Sequence, residues 1–161
     1  MNNVTNTHTF PASTEKINCS YQGRDILSFD QFTVNDLFRL FSLTTEMKQI
    51  VVNHEPSHLL EGLMVSLLFF EPSSRTFSSF VSAAKRLGAQ TLELQNPEVV
   101  SSVNKGETFE DTIRVFEAYS DAIVLRHPKA GAAQQAADAA ELVPIVNAGD
   151  GNNEHPTQTL L

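Results

Sequence analysis

The chain has 161 residues, 41% hydrophobic and 19% charged, an ordinary globular composition with length enough for one core. Its 11 Lys and Arg stand against 19 Asp and Glu, a formal charge of −8, which argues against a nucleic-acid partner because phosphate backbones are held by basic excess. Cys19 is the single cysteine, so an internal disulfide is excluded. No apolar stretch reaches the roughly 18 residues of a membrane span, and the polar opening MNNVTNTHTF lacks a signal-peptide core, so a soluble, cytoplasmic protein without a membrane partner is expected.

Residues 1–23 are rich in Asn, Thr and Ser without lasting periodicity and read as a mobile arm, with one domain expected over 24–161. Thr33 followed by Asp36 resembles a capping box, and Val34, Leu37, Phe38, Phe41, Met47 and Val51 supply the apolar face of a helix that ends before Pro56. The run LMVSLLFF, Leu63 to Phe70, has the length and bounding residues of a strand covered on both faces. Phe77, Phe80, Val81, Ala84 and Leu87 then share a helical face, with Gly88 at the C-cap. AQTLEL is a second strand, and a polar stretch leads to a third helix with Phe109, Ile113 and Phe116 inward. DAIVLR is a third strand, AGAAQQAADAAEL an alanine-rich helix and VPIVNA a fourth strand, after which Pro156 suits the first position of a last helix.

Strand and helix alternate without a hairpin between neighbouring strands. The pattern predicts an α/β fold: a three-layer, doubly wound, mostly parallel four-stranded sheet with helices on both faces. In such sheets ligands bind outside the carboxyl ends of the strands. Three polar clusters fall there: Glu71 to Thr76, Arg126 with His127, and Asn147 to His155.

In EPSSRT, Ser73 or Ser74 can cap the helix while the first-turn amides and the positive dipole end make a seat for a phosphate. Arg75 adds a planar fork for two oxygens and Thr76 a hydroxyl. Ordinary capping beside an exposed Arg is the plainer reading of an isolated Ser-Ser-Arg-Thr, and the other clusters tip the balance towards an anion. Arg126 would emerge at a strand tip, His155 would stand at the sheet edge able to donate to an oxygen, and Gln158 would face the same way one turn later. Taken alone, Lys105 is an exposed loop lysine. The histidines lack metal-ligand spacing, so no metal is expected, and neither GxxxxGK(S/T) nor GxGxxG is present.

FFEPSSRT, SSVNKGET, VLRHPKAGA and NAGDGNNEHPTQTLL, in that order and roughly at the family's spacing, resemble aspartate carbamoyltransferases from about Ile26 to Leu161. The resemblance implies that Ser73, Ser74, Arg75 and Thr76 hold the phosphate of carbamoyl phosphate, with Ser74 standing where most family members carry Thr. It implies that Thr76, Arg126 and His155 contact the carbonyl oxygen and Gln158 the carbamoyl nitrogen. Ser101 and Lys105 would reach into a neighbouring subunit's site, because family sites lie between the subunits of a homotrimer.

The family continues past HPTQTLL into a second domain that binds the carboxylates of L-aspartate. The 161 residues would then be the carbamoyl-phosphate half, inactive alone, and the missing C-cap after Leu161 reads as a truncated product. Two alternatives stand beside this: an ornithine-type or other carbamoyltransferase domain, and a non-catalytic anion-binding module that trimerises.

Overall fold

A computed structural model of the chain describes residues 21–96 and 107–160. Among them, four strands form one sheet: β1 (Met64–Phe69), β2 (Gln90–Gln95), β3 (Ala122–His127) and β4 (Ile145–Asp150). The order is β2-β1-β3-β4 and every pairing is parallel. The helices are α1 (Val34–Val52), α2 (Ser74–Arg86), α3 (Phe109–Glu117), α4 (Ala132–Ala139) and the short α5 (Pro156–Thr159).

The continuous apolar run of β1 is explained by its central place. Leu67, Leu68 and Phe69 are wholly buried, since alternate side chains enter different layers. Leu68 joins Ile123, Leu125 and Ile145 under Ile113 of α3 and Ala136 and Ala139 of α4. Leu67, Phe69 and Val124 face Phe77, Phe80 and Val81 of α2, with the Phe69 and Phe77 rings edge to face at 5.1 Å. These are the three layers that the alternation predicts.

From β1 the chain winds outward to β2, then returns across β1 to lay down β3 and β4 on the other side. The reversal falls between β1 and β3, where the loops leave the strand tips in opposite directions and a crevice opens. Beside β4, Ile26 forms a parallel bridge to Val146, and the Asp25 carboxylate accepts from the Ile145 amide at 2.7 Å, so the sheet edge is covered.

Three expectations change in detail. α1 carries its capping box, in which the Asp36 carboxylate accepts from the Thr33 amide at 2.9 Å. Its apolar face, however, is only partly covered by the described residues: Leu37 and Met47 are half-buried, but Val34 is 68% exposed and Phe38 62%. Periodicity identifies which face is apolar, not whether a partner lies in the same stretch of chain. The alanine-rich helix stops at Ala139, where the Glu117 carboxylate accepts from the amides of Glu141 (2.6 Å) and Leu142. β4 runs on to Asp150 because it contains a bulge.

Burial sets an expected contrast. Leu68→Ala should cost about 2–5 kcal/mol of unfolding free energy, and Phe38→Ala well under 1 kcal/mol, as read by urea denaturation. Equal losses would mean that the α1 face is covered in solution.

Candidate active site

The crevice holds a cavity of about 430 Å³. Ser73, Arg75, Thr76 and Ser79 enter it from the start of α2, Arg126 from the tip of β3, and His155 and Gln158 from the start of α5. The three polar clusters therefore meet, as their places at strand ends predict. Ser74 is exposed at the first position of α2 and does not line the cavity. Ser101 and Lys105 lie outside the described residues.

Each wall has a local cause. Ser73 is the N-cap of α2, yet its side chain makes no bond to the helix, leaving both the hydroxyl and the first-turn amides to an incoming acceptor. Ser79 was not legible as a site residue, although its spacing of three from Thr76 puts it on the same helical face, and its hydroxyl donates to the Thr76 carbonyl at 2.8 Å.

Arg126 is placed by the bulge. Leu125 pairs with Asn147 and His127 with Asp150, so Arg126 alone opposes both Ala148 and Gly149. The extra residue bends β4 and re-aims its neighbours. The Arg126 Nη1 donates to the Ala148 carbonyl at 3.0 Å, and Nη2 pairs with the Glu71 carboxylate at 2.9 Å. The Arg126 Nε is buried without a hydrogen-bond partner among the described residues. Glu71, counted in the first polar cluster but given no role there, sits at the β1 tip and holds the guanidinium with an acid of the protein's own.

Gly149 adopts φ 116°, and a methyl group there would overlap the Arg126 Nη1 while only touching the His155 ring. The bare backbone is what leaves the guanidinium its room beside the imidazole.

His155 stands before α5 with Nδ1 3.2 Å from the Thr157 hydroxyl and Nε2 buried without a partner among the described residues. Burial first, and then the positive charge of Arg126, hold its imidazole below the ordinary value of 6.5, so the ring is neutral at pH 7. Where Thr157 donates to Nδ1, the ring proton is on Nε2, which then faces the cavity as a donor. His127, by contrast, is structural. Its ring lies 5.0 Å from Phe70 and 5.1 Å from Phe109, and Nδ1 accepts from the Lys129 amide.

The donor inventory is two guanidinium groups, the hydroxyls of Ser73 and Thr76, a helix N-terminus and a neutral imidazole around one small cavity, which suits an anion bearing several oxygens. Among the described residues no group of three or more His, Cys, Asp or Glu side chains is arranged to hold a metal ion, and no helix is long and apolar enough to cross a membrane.

A family profile described as "Aspartate/ornithine carbamoyltransferase, carbamoyl-P binding domain" matches residues 24–161. The chain belongs to this family. It is 45% identical over 154 residues to a chloroplastic aspartate carbamoyltransferase of Arabidopsis thaliana, covering 96% of this chain and 39% of that one. It is 46% identical over 142 residues to the aspartate carbamoyltransferase catalytic subunit of Methanosarcina barkeri, covering 88% and 46%. Among solved structures, aspartate transcarbamoylase of Trypanosoma cruzi in complex with carbamoyl phosphate and aspartate superimposes with a TM-score of 0.82 at 45% identity, over 88% of this chain and 43% of that one. The catalytic subunit of the M. jannaschii enzyme gives 0.78 at 42% identity, over 85% and 44%. The chain thus spans less than half the length of these relatives.

A side chain on the bare backbone should displace the Arg126 guanidinium. Gly149→Ala is expected to weaken inorganic phosphate binding about tenfold or more, measured by calorimetry. The NMR titration midpoint of His155 should lie below 6.5 in the parent chain and rise in Arg126→Leu, which removes a positive neighbour. Since the folded value is the lower one, neutral His155 contributes stability above pH 6.5 that is lost as the pH falls from there through the folded midpoint. A midpoint above 6.5 would contradict this geometry.

Proposed function

We propose that the cavity binds carbamoyl phosphate, and that the chain is the carbamoyl-phosphate half of an enzyme transferring the carbamoyl group to the α-amine of L-aspartate in pyrimidine biosynthesis. The observation that carries this reading is the pair of buried nitrogens, Arg126 Nε and His155 Nε2, without partners among the described residues beside the open N-terminus of α2. Buried polar atoms are rarely left so, and a small ligand with both carbonyl and phosphoryl oxygens would satisfy them.

In this reading Ser73, Arg75, Thr76 and the α2 amides take the phosphate, with Ser74 contributing its own amide. Arg126, Thr76 and His155 take the carbonyl oxygen, and Gln158 the carbamoyl nitrogen. The amine attacks the carbonyl carbon, forming a C–N bond, and the carbonyl oxygen gains negative charge. The C–O bond to phosphate then breaks with its electron pair, and the amine gives up a proton. Such a reaction needs donors aimed at the developing oxyanion and the departing phosphate rather than a covalent nucleophile. A neutral His155 donates there without adding a charge that would bind the phosphate too tightly to release. The Glu71 carboxylate keeps Arg126 in place until the substrate's oxygens compete for it.

L-Aspartate is assigned to the portion of the relatives beyond the matched stretch, so the 161 residues alone should bind carbamoyl phosphate without turning it over. The domain division, with an arm over 1–23 and a binding domain over 24–161, belongs to the same proposal, as does a homotrimer in which Ser101 and Lys105 complete a neighbour's site. An aqueous, reducing compartment such as the cytosol suits the single cysteine. An ornithine-type acceptor is the second chemistry within the family's description, and the aspartate names of the matched relatives favour the first.

Calorimetry with carbamoyl phosphate and with inorganic phosphate tests the binding half. Both should bind, and a folded chain that binds neither would favour the non-catalytic module. In a complete enzyme Arg75→Ala should lower turnover by roughly 10²–10³, as for other oxyanion donors, and an unchanged rate would remove Arg75 from the chemistry. Lys105→Ala and Arg75→Ala subunits of that enzyme, each inactive alone, should regain activity when reassembled together. Mixed assemblies without activity would count against shared sites.

A further inference from the structure

Asp150 is 2% exposed, and among the described residues no cation pairs with it. None of the proposed chemistry uses it. Its carboxylate instead accepts from the Gly131 amide at 2.9 Å, the Glu154 amide at 3.0 Å, the Asn153 side-chain amide at 3.1 Å and the Asn147 side-chain amide at 3.2 Å. Burial opposes its ionisation, but these donated bonds outweigh it and hold the carboxyl below its ordinary value.

The donors come from three segments. Gly131 belongs to the loop that follows β3 and opens α4. Asn147 is in β4, and Asn153 and Glu154 lie in the loop that ends at His155. The Gly151 amide adds a bond to the His127 carbonyl at 2.8 Å, and a side chain at Gly151 would overlap Pro128. The two loops are therefore seated against each other with Asp150 at the joint.

On its C-terminal side the His155 carbonyl accepts from the amides of Gln158 at 2.9 Å and Thr159 at 3.1 Å, but the ring itself has few ties. Its ring touches the Thr157 hydroxyl, and Nε2 has no partner among the described residues. On its N-terminal side the preceding amide is tied to Asp150 and the preceding carbonyl to Asn147 at 3.4 Å, and the Glu154 carboxylate accepts from Ser28 and Phe29, so the entry to α5 is fixed at both ends of this residue. Asn147 also accepts from the Gly149 amide at 2.9 Å, at the point where Gly149 faces both Arg126 and His155.

We propose that Asp150 is a positioning residue of the anion site, its buried carboxylate joining the loops after β3 and β4 and so setting where His155 stands. The purpose of that placement rests on the reading of the cavity given above, but the placement itself does not. An isosteric amide cannot replace the acid. Both carboxylate oxygens accept from N–H groups, so the amide nitrogen of Asn would meet a donor whichever way it turned.

The experiment is Asp150→Asn in the 161-residue chain, with folding checked by near-ultraviolet circular dichroism. The NMR titration midpoint of His155 should rise towards 6.5 as the ring leaves its buried place, and inorganic phosphate should bind about tenfold or more weakly. Leu68→Ala, which weakens the core away from the loops, should leave both readings unchanged, separating placement from mere stability. A folded Asp150→Asn chain with the parent's midpoint and affinity overturns the proposal and leaves the anion site standing. A parent chain that binds no phosphate overturns the reading of the cavity, while a shifted midpoint in Asp150→Asn still supports the role of the acid. Should Asp150→Asn fail to fold, Asn153→Ala removes one donor at the exposed end of the network. A smaller shift in the same direction supports the proposal, and no change overturns it.

Discussion

Leu67, Leu68 and Phe69 are sealed from water by helices on both sides of the sheet, and this burial is the constraint from which the cavity follows. A strand packed on both faces cannot carry polar groups along its length without leaving them unsatisfied. Ser66 is the polar side chain carried within β1, its Oγ buried without a partner among the described residues, and the charged side chains stand at the ends, where Phe70 gives way to Glu71 and Leu125 to Arg126. Parallel pairing then brings those ends to one edge, and the reversal between β1 and β3 keeps the edge open. The apolar interior and the polar crevice are two results of one arrangement.

The electrostatics work on a similar division. A chain with a net charge of −8 repels anions at long range, so any affinity for one has to be local. Local donors are dense here, and the low-dielectric wall behind them strengthens each. Glu71 complicates the balance by occupying one side of Arg126, which is 19% exposed. The pair keeps a guanidinium ordered at a sheet tip that would otherwise leave it free to swing into solvent.

Much of this was legible in the sequence because the informative residues obey period and position. The sheet, its parallel sense and the α2 face follow from LMVSLLFF, DAIVLR and the spacing of Phe77, Phe80 and Val81. Arg75, Arg126, His155 and Gln158 could be placed at strand ends before any coordinates. Ser79 carries no mark, since a Ser inside a helix is commonplace, and Glu71 could be placed in its cluster but its pairing with Arg126 could not be read. The bulge was illegible for a deeper reason: an extra residue in a strand leaves no mark in composition, and VPIVNA reads as an ordinary end. Asp150 went with it, because a buried acid satisfied by amides looks like any loop acid in a line of text. The exposed face of α1 shows the opposite limit, a pattern that states a need for cover without stating its source.

The bulge makes the stretch from Asn147 to Asp150 a matter of counting as well as of chemistry. Two residues there face one on β3. Loss of either would let the strands zip evenly, put a side chain's worth of backbone out of phase, and turn the loop's anchoring groups to the wrong layer. Over evolutionary time such a segment should accept exchanges of character more readily than any insertion or deletion. Its length behaves as an inherited dimension of the fold.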